Sequence, residues 1–238
     1  MTRLSVNLNK VALIRNARGG NIPDLIEVAK DCERFGAEGI TVHPRPDQRH
    51  VRYDDLAPLK EIVTTEFNIE GNPTSEFLNI VCEIKPHQCT LVPDAPDALT
   101  SDAGWNTLKN HDFLQEVIQT LKENGIRTSL FIDPDEKMLD GARKVETDRI
   151  EFYTGPYAHD FARDPESAVE SFARASRHAN TLGLGVNAGH DLNLLNLRFF
   201  NQHLPNLLEV SIGHALISDA LYYGLQNVIQ MYKDRLRD

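Results

Sequence analysis

Four residues in the 238-residue chain place a proton-transferring side chain at or just beyond the end of a short apolar run: His43, Glu70, His190 and His214. Imidazole changes charge near neutrality without help from its surroundings. A carboxylate set between Ile69 and Gly71 can have its pKa raised by partial desolvation and then act as a general acid or base. Two of the histidines follow glycine, in Gly183-Leu-Gly-Val-Asn-Ala-Gly-His190 and in Leu207-Leu-Glu-Val-Ser-Ile-Gly-His-Ala215. The second run passes directly into one helical pattern, Leu216, Ile217, Ala220, Leu221, Gly224, Leu225, Val228 and Ile229. Gly213-His214 therefore heads a helix, where glycine permits close approach and unpaired N–H groups point at an anion. Lys10, Arg18 and Arg45 are the candidate cations, the guanidinium fork being suited to phosphate. The combined reading is acid–base chemistry on a small phosphorylated substrate.

Each of these residues also has a plainer reading. Glu70 could close a salt bridge with Arg45 or Lys10, and a histidine taken singly is more often structural. His43, Glu70 and His190 could form a facial metal set of two imidazoles and a carboxylate. No HxH or HExxH spacing supports that, and no metal is expected. His87, His111, His159, His178 and His203 fall on helices, loops or solvent-facing positions, and Arg15, Arg34, Arg49 and Arg52 read as surface solvation. Tyr53 and Trp105 read as loop anchors. Neither GxGxxG after the first strand nor GxxxxGK is present, which excludes dinucleotide and P-loop readings, and no cofactor is expected.

Positioning such groups requires a repeating frame, and the chain supplies one. Strand patterns cover Arg3–Leu8, Gly39–His43, Glu66–Glu70, Gln88–Val92, Arg127–Ile132, Arg149–Thr154, Leu184–Asn187 and Leu207–Ile212. Helical patterns alternate with them. One opens at Pro23-Asp24, one runs from Asp54 to Val63, one follows a Thr74 cap, and one covers Asp112–Lys122. Others start at Asp133-Pro134-Asp135-Glu136 and Asp164-Pro165, and a weaker one spans Leu194–Phe200. Eight βα repeats without a break in composition argue for one closed (β/α)₈ TIM barrel, a single domain over residues 1–238. The polar candidates then fall at the C-terminal ends of different strands, where such barrels carry chemistry. The Pro93–Thr107 connection is longer than most and suggests a binding flap.

Composition narrows the partners. Lys and Arg number 25 against 35 Asp and Glu, a formal charge of −10, which disfavours non-specific nucleic-acid binding. Neither a signal-peptide core nor a run of roughly 18 apolar residues is seen, so a cytoplasmic protein without membrane contact is expected. Cys32, Cys82 and Cys89 have no metal or redox spacing and read as buried small hydrophobes.

At these residues the chain resembles the pyridoxine 5'-phosphate synthase family. The matching segments are Val6-Asn-Leu-Asn-Lys10, Arg15-Asn-Ala-Arg-Gly19, Gly39-Ile-Thr-Val-His-Pro-Arg45, Arg49-His50, Asn68-Ile-Glu70, Leu91-Val-Pro93, Ser129-Leu-Phe-Ile-Asp133, Asn187-Ala-Gly-His190 and Ile212-Gly-His-Ala215. The resemblance implies a (β/α)₈ barrel that joins 3-amino-2-oxopropyl phosphate to 1-deoxy-D-xylulose 5-phosphate, releasing phosphate and water as pyridoxine 5'-phosphate forms. It implies that His43 and Glu70 accept protons and His190 donates one. It further implies that Asn7, Arg18, Asp191, Gly213 and His214 contact the amino-ketone phosphate, and that Asn9, Lys10, Arg45, His50 and Thr100 contact the deoxyxylulose phosphate. A homo-oligomer, an octamer, is implied as well. Asn9-Lys10 replaces an Asp-His pair frequent in that family, and Asp191 stands where glycine is usual. Among other classes, a phosphosugar isomerase, epimerase or aldolase would share the anion seat at the last two strands, and a non-catalytic phosphate binder would hold ligand without turnover.

Overall fold

Strands that pair with both neighbours leave no sheet edge, and the eight strand runs do this in sequence order. The structure, a computed structural model, describes residues 1–94 and 101–237. In chain order the elements are β1 (Arg3–Asn7), α1 (Asn9–Asn16), α2 (Leu25–Arg34), β2 (Gly39–Val42), α3 (Leu56–Ile62), β3 (Glu66–Gly71) and α4 (Ser75–Ile84). They continue with β4 (Gln88–Leu91), α5 (His111–Glu123), β5 (Arg127–Ile132), α6 (Glu136–Lys144), β6 (Arg149–Tyr153), α7 (Gly155–Asp160) and α8 (Pro165–Thr181). The last are β7 (Gly185–Gly189), α9 (Leu197–His203), β8 (Leu207–Ile212), α10 (His214–Tyr223) and α11 (Leu225–Arg235). All strand pairs are parallel, and β8 returns to β1 to close the barrel.

Local chemistry explains most of the helix starts. Asp24 accepts from the amides of Ile26 and Glu27, Thr74 from Phe77 and Asp164 from Ser167, each cap being worth about 1 kcal/mol. The start of α6 differs from the expected one. Asp135, not Asp133, is the cap, accepting from Lys137 and Met138, and Pro134 lies ahead of the helix. Two helices have no counterpart in the periodicity reading. Segment 9–16, read as a polar cluster after the first strand, is α1, and α7 is a single short helix following β6. The last helical pattern breaks in two at Gly224, whose φ of 77° lies where side chains are disfavoured.

The apolar core lies between the strands and the helices. Its largest buried side chains include Tyr157, Tyr232, Phe67, Phe152, Phe172 and Phe200, and Tyr157 OH donates to the Asn196 carbonyl at 2.7 Å. Cys32 and Cys89 are buried as expected, whereas Cys82 is only partly so. Burial pushes the Cys32 thiol up to about 12.

The barrel interior is polar. Contacts between non-neighbouring strands must cross that interior, and Glu66 on β3 reaches Arg127 on β5, Arg149 on β6 at 3.7 Å and Arg3 on β1 at 3.4 Å. Strand alternation then points Asn68 and Glu70 inward above Glu66. Ser5, Thr41, Asn68 and Thr90 form a hydrogen-bonded band at mid-height, with Ser5 Oγ 2.7 Å from Thr41 Oγ1 and Thr90 Oγ1 donating to Asn68 Oδ1 at 3.1 Å. Ions close the bottom and a polar band fills the middle, so the top alone is left for chemistry.

The chain returning from the fourth strand is tied to the barrel. Trp105 N donates to the Phe131 carbonyl at 2.9 Å, and Trp105 Nε1 to the Leu91 carbonyl at 3.0 Å, which fits the anchoring role expected of Trp105. Gly104 permits this approach, because a Cβ there would overlap the Asp133 amide nitrogen and Ile132 Cα. Gly104→Ala therefore displaces backbone. Its expected cost is about 1–3 kcal/mol, read as a lower urea midpoint with an unchanged slope; an unaltered midpoint would show that the loop is not seated in this way.

Candidate active site

A ladder of amides joins the ends of the first three strands. Asn7 Nδ2 donates to Glu70 Oε2 at 3.4 Å, Asn7 Oδ1 accepts from the Asn9 amide at 3.0 Å, and Asn9 Oδ1 accepts from the His43 amide at 2.9 Å. His43 Nδ1 lies 3.9 Å from Glu70 Oε2, and both side chains are largely buried. Two of the expected site residues, Asn7 and Asn9, thus position two others, His43 and Glu70.

The surroundings drive these two groups toward their neutral forms. Burial pushes Glu70 up to about 8, with the Asp94 carboxylate adding to the effect and Arg45 opposing it. Burial also pushes His43 well below the usual imidazole range, assisted by the charge on Arg45. At neutral pH a protonated carboxyl therefore faces an unprotonated imidazole. The first has a proton to give, and the second has a lone pair to receive one.

Beside them lies a cationic corner. Arg45, one of the two cations named as a salt-bridge partner for Glu70, instead donates through Nη2 to Asp94 Oδ2 at 2.8 Å. Ser101 Oγ donates to the same oxygen at 2.5 Å, and Asn72 Nδ2 to the Asp94 carbonyl at 2.8 Å. The His50 ring stands 6.4 Å from that of His43, edge-on, and its Nδ1 accepts from the Val51 amide at 3.0 Å. Burial, then Arg45, Arg49 and Lys10, push His50 down to about 4. Lys10, Arg45 and His50 thus share one neighbourhood. Arg15 departs from the surface reading: it is buried and holds Asp55 with two hydrogen bonds of 2.6 and 2.8 Å, bracing α1 against the segment before α3.

A second group gathers over β6, β7 and β8. His190 follows the last residue of β7 with φ of 77°, its ring 5.4 Å from Tyr153 and its Nδ1 2.7 Å from Asp191 Oδ2. Gly213 lies against Asn7, where an added Cβ would meet Asn7 Cβ at 3.0 Å, and His214 opens α10 in an exposed position. Arg18 stands on exposed chain beyond α1. Thr100 falls outside the described residues.

Glu151 bridges the two groups and escaped the sequence reading. It is buried beneath Gly189, with no room for a side chain between them. Burial, then the nearby Glu70, pushes its carboxyl well above the usual range. A signal was present. In Arg149-Ile-Glu-Phe-Tyr153 the polar residues alternate with Ile150 and Phe152, which places Arg149, Glu151 and Tyr153 on one face. Among the described residues, no group of three or more His, Cys, Asp or Glu side chains is arranged to hold a metal ion.

The raised Glu70 pKa has a consequence for stability. Between its ordinary 4.5 and about 8, the folded chain retains a proton that the unfolded chain has shed, so raising the pH through that window costs stability. Glu70→Gln removes this cost. Its melting temperature should equal the wild-type value or lie below it near pH 4.5 and gain on it steadily toward pH 8; a constant offset across the range would refute the shift.

The chain matches the PdxJ family, described as pyridoxal phosphate biosynthesis protein PdxJ, over residues 4–238. It is 59% identical over 237 residues to a Flavobacterium johnsoniae protein and 60% identical over 237 residues to one from Cytophaga hutchinsonii. Each match covers 100% of both chains, and each relative is named pyridoxine 5'-phosphate synthase. Among solved structures, orotidine 5'-monophosphate decarboxylase from Methanocaldococcus jannaschii superposes with a TM-score of 0.68 at 12% identity, covering 100% of both chains. That likeness speaks for the barrel alone. Full-length identity near 60%, together with the family match across nearly every residue, shows that this chain belongs to the PdxJ family.

Proposed function

We propose that the chain condenses 3-amino-2-oxopropyl phosphate with 1-deoxy-D-xylulose 5-phosphate to give pyridoxine 5'-phosphate, inorganic phosphate and water. The observation that carries this reading is the buried pair of Glu70 and His43, 3.9 Å apart at the strand ends, within a family whose relatives bear the synthase name. The reaction needs attack of an amine on a ketone, loss of water to an imine, proton removal to an enamine, expulsion of phosphate, and a carbon–carbon closure with dehydration. Every step moves a proton. Nothing in the sequence calls for a redox cofactor.

In this reading, neutral His43 accepts a proton without prior change of state. Glu70 becomes an acceptor once ionised, and its raised pKa makes it a strong base for a carboxylate. His190 donates to a departing oxygen. Lys10, Arg45 and His50 hold the deoxyxylulose phosphate, with Thr100 and Asn9 beside them. Asn9 already spends its carbonyl oxygen on the His43 amide, so its part in binding falls to its Nδ2. Asn7, Arg18, Gly213, His214 and the backbone of Asp191 hold the amino-ketone phosphate, the α10 N-terminus contributing backbone N–H groups.

The test is product formation from both substrates. Glu70→Gln should lower kcat by about 100-fold or more. Wild-type kcat/KM, which reports the free enzyme, should rise with pH toward about 8 as the acceptor form of Glu70 accumulates, and the variant should lose that dependence. Turnover of either phosphorylated substrate alone would favour the isomerase or aldolase reading.

We also propose a homo-oligomer in the cytoplasm, with eight copies the number implied by the resemblance. Its support is an exposed apolar face on α10, which packs against α1. Leu221, Tyr222 and Tyr223 are 76%, 85% and 53% exposed, and Leu13 and Ile14 stand out from α1. Among the described residues, no helix is long and apolar enough to cross a membrane. Light scattering should find an assembly for the wild type and smaller species for Tyr222→Glu; a wild-type monomer would discard the interface.

A further inference from the structure

Successive side chains along extended backbone point to opposite faces, so neighbours such as His190 and Asp191 ordinarily do not meet. Here they do. The left-handed backbone at His190, with φ of 77°, breaks the alternation, and Asp191 Oδ2 comes to 2.7 Å from His190 Nδ1. A residue other than glycine is uncommon in that region, and the loop around it is held in place. The Leu192 amide donates to the His190 carbonyl, buried Asn196 donates through Nδ2 to the Asp191 carbonyl at 3.3 Å, and Asn196 Oδ1 accepts from the Asn193 amide at 2.8 Å. Tyr153 packs edge-on against the imidazole at 5.4 Å and 76°. The loop backbone and the ring are therefore held, and the half-exposed Asp191 carboxylate meets the ring from that held backbone.

We propose that Asp191 is a positioning residue for His190: its carboxylate accepts from Nδ1–H, sets the tautomer of the neutral ring, and leaves Nε2 as the nitrogen that gains and loses the transferable proton. This rests on the proposed role of His190 as proton donor. A carboxylate on one imidazole nitrogen orients the ring and favours its protonated form. In the donating step, the Nε2–H bond breaks and its proton joins the departing hydroxyl. The carbon–oxygen bond breaks with its electron pair on that oxygen, and water leaves. His190 is then neutral with Nδ1–H still on Asp191, which stays ionised throughout. The Asp191 side chain, engaged by His190, then leaves contact with the amino-ketone phosphate to its backbone.

Among the described residues, the other titratable groups around the pair include Tyr153 on β6, His214 at the head of α10, and Glu151 beneath Gly189; Asp102 and Asp133 act on Tyr153. Asp191 is the carboxylate that meets Nδ1. The hydrogen bond to His190 holds the Asp191 carboxyl below the usual range, His214 adding to it, so the carboxylate is ionised at neutral pH.

The experiment is ¹⁵N NMR of histidine-labelled, ligand-free protein across pH, with His190→Gln used for assignment, on wild type, Asp191→Asn and Asp191→Ala. Wild-type His190 should be the Nδ1–H tautomer when neutral. In both variants the neutral ring should lose its preference for Nδ1–H, with kcat reduced and both Michaelis constants little changed. An unaltered tautomer in Asp191→Asn would overturn the proposal. So would a rise confined to the Michaelis constant for the amino-ketone phosphate with the tautomer unmoved. Because the tautomer is read without substrate, a changed tautomer in a protein that forms no product would refute the proposed reaction and leave the dyad standing.

Discussion

Carboxylates facing one another inside a barrel cannot all be ionised, and this constraint organises the protein from bottom to top. At the base, Glu66 is compensated by Arg3, Arg127 and Arg149, and its carboxyl is held below the usual range despite partial burial. Above it the compensation thins out. Glu209, hydrogen-bonded to Glu66 and 3.9 Å from Arg149, is pushed up beside them, while higher in the barrel Glu151 lies in the field of Glu70 and Glu70 in that of Asp94. Desolvation and repulsion between carboxylates push all three upward, so Glu70 and Glu151 hold protons at the top of the barrel at neutral pH. A structural arrangement at one end thereby becomes a chemical one at the other.

The strand ends divide this chemistry spatially. Over β1 to β3, the Asn7–Asn9 ladder sets His43 against Glu70, and Arg45 and Lys10 supply positive charge beside a neutral His50. Over β6 to β8 stand His190 with Asp191, then Gly213 and His214 at the start of α10. In the proposed reaction, each of the two phosphorylated reactants would take one of these groups, on opposite sides of one proton-handling centre. Glu151 and the Gly213–Asn7 contact join the halves, so neither can shift without the other.

The Arg45–Asp94 pair bears on how the site receives an anion. A guanidinium already satisfied by a carboxylate, itself held by Ser101, does not sit exposed as a free cation. An incoming phosphate competes for the same fork. Such a pair avoids leaving a buried charge uncompensated in the ligand-free protein.

The strand runs, their order and closure, most helix starts, and His43, Glu70, His190 and Gly213-His214 at strand ends were legible in the sequence. Alternation, caps and turn residues are local, and a repeated βα rhythm admits few ways to close. Tertiary structure alone decided the partners of those residues. Periodicity did not reveal α1, because its mixed face is shaped by Arg15 reaching Asp55 across 40 positions. Nor did it reveal the break at Gly224 or the choice of Asp135 as a cap. Glu151 was readable as a polar residue alternating with Ile150 and Phe152, but its meaning depends on Glu70, a neighbour only across the closed barrel. A pKa is set by burial and by charges distant in sequence, and the chain order records neither.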